Sequence, residues 1–97
     1  MSSVRKGRYR ERLVKKILEL EGCNVYLPNW TRFGQKDILG IWDGLAFKPN
    51  SKPILFQVKS KKPNLGKYQD FILPIKDHVE GRVYVYLGNK KFDRFDV

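Results

Sequence analysis

Asp37, followed twenty positions later by Gln57-Val58-Lys59, is the part of this chain whose residue types and spacing suggest phosphoryl chemistry. A carboxylate and an amide carbonyl are oxygen donors of the kind that hard divalent cations such as Mg²⁺ or Mn²⁺ prefer. An ammonium two residues after the amide can position or activate an attacking water, or stabilise a phosphate as negative charge builds on it. Glu11 is a further oxygen donor within reach of such a centre. The expected metal ligands are therefore Asp37, Gln57 and Glu11, with Lys59 as the cation that meets the phosphate.

The elements that must position them follow from periodicity. In ILFQVKS, residues 54–60, side chains alternate between faces, so Leu55, Gln57 and Lys59 share one face and Ile54, Phe56 and Val58 the other. Both faces begin apolar, as in a central strand covered on two sides. Residues 37–42, DILGIW, are expected to form an antiparallel partner strand. Matching Asp37 to Gln57 places Ile41 opposite Pro53 and leaves residues 42–52 as the connection, where the turn residues lie. Asp43 and Asp70 are then turn and surface residues. Residues 8–22, RYRERLVKKILELEG, predict a helix stopped by Gly22, with Tyr9, Leu13, Val14, Ile17, Leu18 and Leu20 on its apolar face. Glu11 falls at the edge of that stripe, beside Val14 and Leu18, where it can reach the rim of a sheet.

The rest of the chain completes a single expected domain over residues 1–97. Residues 23–27 read as a short strand and 28–36 as a polar loop that interleaves Trp30, Arg32 and Phe33. Residues 64–81 hold helix broken near Pro74, 82–87 form a strong strand with Tyr84 and Tyr86 in its packing, and 92–97 form an edge strand. The fold class expected is α/β, a mixed central β-sheet flanked by helices.

Twenty Lys and Arg against ten Asp and Glu give a formal charge of +10. So large an excess on so small a domain creates a long-range positive field, and nucleic acid is the partner it fits best. Arg5, Lys6, Arg8, Arg12, Lys36, Lys61 and Lys62 are the expected phosphate contacts, with Arg32 in the loop and Trp30 available to stack on bases. Cys23 and His78 are each alone in the sequence. This excludes an internal disulfide and zinc sites of several cysteines, and leaves Cys23 as a small apolar packing residue. No apolar segment approaches the ~20 residues of a membrane span, and the N-terminal residues have no hydrophobic signal region. The expected location is intracellular, in the cytoplasm.

Asp37 with Gln57-Val58-Lys59 resembles the D…(D/E)-x-K core of the PD-(D/E)XK, or restriction-endonuclease-like, nucleases. The start, RKGRYRERLVKKILELEG, is similar to the first helix of archaeal Holliday-junction resolvases, which opens R-K-G-x-x-x-E-R-x-L. Arg5, Lys6, Gly7, Glu11 and Arg12 fall on that pattern, and Leu13 comes one residue early. The resemblance covers roughly residues 5–62. It implies a restriction-endonuclease-like core and a Mg²⁺- or Mn²⁺-dependent DNA endonuclease selective for branched DNA. Glu11, Asp37, Gln57 and Lys59 then stand at its catalytic positions and Arg12 contacts phosphate. Gln57 stands where the family carries an acid, and Lys36 where it carries a proline before the aspartate. Two alternatives follow from Gln57 and the short C-terminal region: a nucleic-acid-binding module with weakened catalysis, or a nuclease of single-stranded or nicked DNA. Cutting both strands of a junction needs two active centres, so a homodimer is expected, joined through Phe71, Ile72, Leu73 and Ile75.

Overall fold

The computed structural model of the chain describes residues 3–28, 30, 31, 34, 35 and 37–97, with side chains over 7–28 and 37–97. Helix α1 spans Ser3–Leu20. Strands β1 (Asn24–Tyr26), β2 (Trp30–Thr31), β3 (Gly34–Gln35), β4 (Gly44–Phe47) and β5 (Ile54–Lys59) follow. Helix α2 (Gly66–Ile72) runs into a single 3₁₀ turn at Leu73–Ile75, and β6 (Glu80–Gly88) and β7 (Lys91–Asp96) end the described chain. Five strands form one sheet in the order β1-β4-β5-β6-β7, while β2 and β3 pair separately. Only β5 and β6 are parallel, joined through α2, so the sheet is mixed as expected.

The strand at 54–59 forms as predicted and is buried on both faces over Ile54–Gln57. Ile54 and Phe56 pack with Val14 and Leu18 of α1, with Cys23, Ala46 and Tyr84 completing that core. Leu55 packs on the other side with Trp42, Tyr68, Ile72, Val83 and Val85, beneath α2. Cys23 is thus the apolar packing residue expected, and Tyr84 meets Phe56 and Phe92 edge to face.

Three expectations are corrected. First, residues 37–42 are not a strand. Ile38 bridges Trp42 across a tight reversal, with Leu39 and Gly40 both at positive φ (53° and 81°). Gly40 supplies the left-handed conformation that such a turn demands. The strand beside β5 is instead β4, with Gly44 opposite Phe56 and Ala46 opposite Ile54. The connection is the Lys48–Pro53 turn cluster alone. Gly44 is required by proximity, because a Cβ there would run into the Phe56 ring and Leu27.

Second, the packing stripe of α1 is narrower than its apolar residues suggest. Tyr9 and Leu20 are exposed, and the buried positions are Glu11, Val14 and Leu18. Glu11 therefore lies within the stripe and not at its edge. Third, the apolar group around Pro74 is not surplus. Ile72 is buried and Phe71 packs edge to face on Trp42, so that of the four residues expected at a dimer contact Leu73 alone is exposed.

The far end of α1 is fixed by Arg82. Its buried guanidinium donates to Glu21 and to the Tyr84 hydroxyl, at 3.2 Å each, and lies 3.6 Å from Glu80. This ties the helix C-terminus to the first half of β6.

Candidate functional site

Oxygen donors gather near the end of β5. The β4–β5 register ends at the Gly44–Phe56 pair, and Asp43 and Gly44 both face Phe56. Asp37 directly precedes the Ile38–Trp42 bridge and Asp43 directly follows it, and the charge of Asp37 acts on the Asp43 carboxyl. Gln57 immediately precedes Val58, to which Asp43 is hydrogen-bonded, and Lys59 stands two residues beyond Gln57 on the same face of β5. Asp43, expected as a turn residue, is part of this group.

Asp43 is 7% exposed, and one oxygen of its carboxylate accepts the Val58 N–H at 2.8 Å. Its own N–H donates to the Phe56 carbonyl at 2.9 Å, one position out of step with the Gly44–Phe56 pair, so the β4–β5 register breaks at Asp43. Burial pushes the Asp43 carboxyl up to about 6 from an ordinary 3.8. The Val58 hydrogen bond opposes that shift, the negative charge of Asp37 adds to it, and the Lys59 ammonium offsets part of it. Asp37, Asp43 and Lys59 thus share one electrostatic neighbourhood.

Gln57 is 8% exposed, and its Oε1 is buried without a hydrogen-bond donor. An orphaned buried carbonyl oxygen is costly unless another partner takes it up. This donor set, two carboxylates and a neutral amide oxygen, consists of hard oxygens and fits a divalent cation such as Mg²⁺. Among the described residues no three His, Cys, Asp or Glu side chains gather. Any cation here rests on those two carboxylates and the amide.

Glu11 approaches from elsewhere. It is buried on α1, which packs on the face of Ile54 and Phe56, whereas Gln57 and Lys59 belong to the α2 face.

Of the basic residues expected to meet nucleic acid, Arg8, Arg12, Lys61 and Lys62 are exposed. Lys62 holds its ammonium 4.8 Å from the Phe95 ring centroid. The side chains of Arg5, Lys6 and Trp30, and residues Arg32, Phe33 and Lys36, lie outside the described residues. No described helix is long and apolar enough to cross a membrane.

Asp43 is the residue that sequence reasoning missed. The signal for it was length matching. Leu45-Ala46-Phe47 is the apolar run directly before the Lys48–Pro53 turn cluster, and closing that turn alone brings Asp43 beside the second half of β5. Compared with known proteins, the chain matches no family model, no curated protein and no solved structure.

Proposed function

We propose that this domain is a small restriction-endonuclease-like, metal-dependent endonuclease that hydrolyses DNA phosphodiester bonds, selective for branched DNA. The observation that carries the reading is the buried Asp43 carboxylate hydrogen-bonded to Val58, within the fields of Asp37 and Lys59 and near the orphaned Gln57 oxygen, in a chain of formal charge +10. Asp37, Asp43 and the Gln57 carbonyl would hold Mg²⁺ or Mn²⁺, with Glu11 approaching from the far face. Such an ion supplies charge neutralisation and Lewis acidity at the scissile phosphate. Lys59 holds a fixed positive charge where the phosphoryl oxygens gain negative charge, an arrangement commonly worth ~3–4 kcal/mol of transition-state stabilisation. Exposed Arg8, Arg12, Lys61 and Lys62 draw in the polyanion. If two cuts are made in one junction, two copies of the chain must cooperate.

Gln57 favours a second reading. An amide in place of the family's acid weakens cation affinity, and the same fold then serves as a nucleic-acid-binding module. The test is a cleavage panel of four-way junction, nicked duplex, duplex and single strand with Mg²⁺ or Mn²⁺. The nuclease reading expects cation-dependent cutting that Asp37→Asn and Lys59→Ala abolish while DNA affinity persists. Salt-sensitive DNA binding with no cutting of any substrate supports the binding module instead.

A further inference from the structure

The α2 face of the sheet is only partly covered. Helix α2 lies over β5 and β6, through Tyr68 and Ile72 against Leu55, Val83 and Val85. The β1–β4 half of that face has no helix on it. Val25 and Ala46 point to the α1 side, where both pack into that core. The alternate positions, Tyr26 and Phe47, therefore point to the α2 side, and there they are 57% and 47% exposed. Leu45, directly opposite Tyr26, lies half-buried between them. Two aromatic rings and a leucine thus form an apolar strip on a charged protein's surface.

The spacing of the rings is informative. Phe47 is the diagonal neighbour of Tyr26 across the β1–β4 ladder, a relation that sets residues roughly 7–8 Å apart. That is about twice the ~3.4 Å rise per nucleotide of a stacked strand. An extended, unstacked strand reaches such a spacing, and a duplex with its bases stacked internally does not. The strip also leads to the candidate site. The Tyr26–Leu45 pair is two residues from Asp43 along β4, roughly 7 Å at strand rise.

The chain's charge suits a polyanion. Its formal charge is +10, Lys48 directly follows Phe47, and from Gly44 to Gln69 the sequence carries six lysines and no carboxylate side chain. Exposed aromatics on a cationic protein are the combination that binds single strands, with rings stacking on bases and ammonium groups on phosphates. We infer that Tyr26 and Phe47 form a stacking platform for successive bases of an unpaired nucleic-acid strand, which feeds that strand toward Asp43 and the end of β5. The inference rests on the nucleic-acid reading above and adds to it a preference for unpaired strands.

The experiment measures binding of a fluorescein-labelled oligothymidylate and of a duplex of equal length by anisotropy, in EDTA so that nothing is cut. Wild type, Tyr26→Ala, Phe47→Ala and Tyr26→Phe are compared. Each alanine is expected to weaken single-strand binding about fivefold to a hundredfold, the stacking worth of one base. Duplex affinity stays within about twofold, since phosphate contacts dominate it. Tyr26→Phe keeps the ring and restores single-strand binding. Both rings are exposed, so unchanged melting temperatures confirm that the variants fold. Alanine variants that bind the single strand as wild type does overturn the platform. So does a wild-type self-association that Tyr26→Ala dissolves, because the strip would then be covered by a second copy. A wild type that binds neither oligonucleotide sinks the nucleic-acid reading itself.

Discussion

Asp43→Asn should make the protein more stable at neutral pH, although it removes a charge that is hydrogen-bonded. The carboxyl titrates near 6 in the fold and at 3.8 when unperturbed, so the folded state binds its proton more tightly than the unfolded state does. For a carboxyl shifted upward, stability is full below the unfolded value, falls as pH rises from about 4 to about 6, and is flat above. The difference of about 2 units corresponds to roughly 3 kcal/mol lost by pH 7.5, at ~1.4 kcal/mol per unit. Asparagine keeps an oxygen for the Val58 N–H and has no charge to desolvate. Its amide N–H₂ needs an acceptor in return, and the buried Oε1 of Gln57, the residue before Val58, has no donor. The variant should therefore gain up to about 3 kcal/mol at pH 7.5, which in a domain of this size raises the melting temperature by roughly 10 °C or more. Near pH 4.5 the gain shrinks by about 2 kcal/mol, since most of the folded wild type is then protonated. Urea melts of both proteins in EDTA at the two pH values isolate this residue, because every other acid titrates alike in both. A difference between the proteins that does not change with pH would refute the buried-charge account of Asp43.

Two further outcomes follow from the same end of the sheet. Gln57→Glu places a carboxylate at a position only 8% exposed, so in chelator at pH 7.5 it should cost about 2 kcal/mol or more, and millimolar Mg²⁺ should recover most of that loss. Thermal melts with and without Mg²⁺ check this, and a Glu variant indifferent to the ion would remove position 57 from the ligand set. Gly44→Ala drives a methyl into the Phe56 ring, which is fully buried and has no open space to enter. The expected cost is about 1–3 kcal/mol, read as a melting temperature lower by roughly 5–20 °C, and an unchanged melt would show that β4 and β5 are less closely apposed.

The helix, the central strand and the strong late strand were legible because their patterns are long and their residues speak for one period. Ile54–Lys59 alternates cleanly between two cores, and Val14 and Leu18 sit at helical spacing. The failures were at short range. DILGIW has the alternation of a strand, yet Gly40 in its middle is the residue that lets the chain reverse. Asp43-Gly44 has the sequence of a turn, yet Gly44 is there because Phe56 leaves no room for a side chain. A reversal thus falls inside the expected strand and a strand begins at the expected turn, which together move the register by six positions. Asp43 was lost with it, since a residue's partner across a sheet depends on register and not on its own type. The exposure of Tyr26 and Phe47 was not legible either. It depends on how far a seven-residue helix extends over the sheet, which no local pattern in β1 or β4 encodes.

What Asp43 does for the fold and what its charge costs are separate matters, and together they bear on function. Val58 N–H needs an acceptor where β4 gives way to the Asp43 bend, and a hydrogen bond of that kind is worth about 1 kcal/mol net. Asparagine would accept it equally well. The carboxylate carries a net cost of roughly 3 kcal/mol at neutral pH even after the Val58 hydrogen bond offsets part of its desolvation. That hydrogen bond asks for an oxygen at position 43 and not for a negative one. The charge of Asp37 raises the cost, that of Lys59 lowers it, and the buried Gln57 oxygen lacks a donor. A cation bound among these groups would relieve the two carboxylates and the orphaned carbonyl at once. That common relief, more than any single residue, is the physical reason to read this end of the sheet as a working site, since strain of this kind is the usual companion of function.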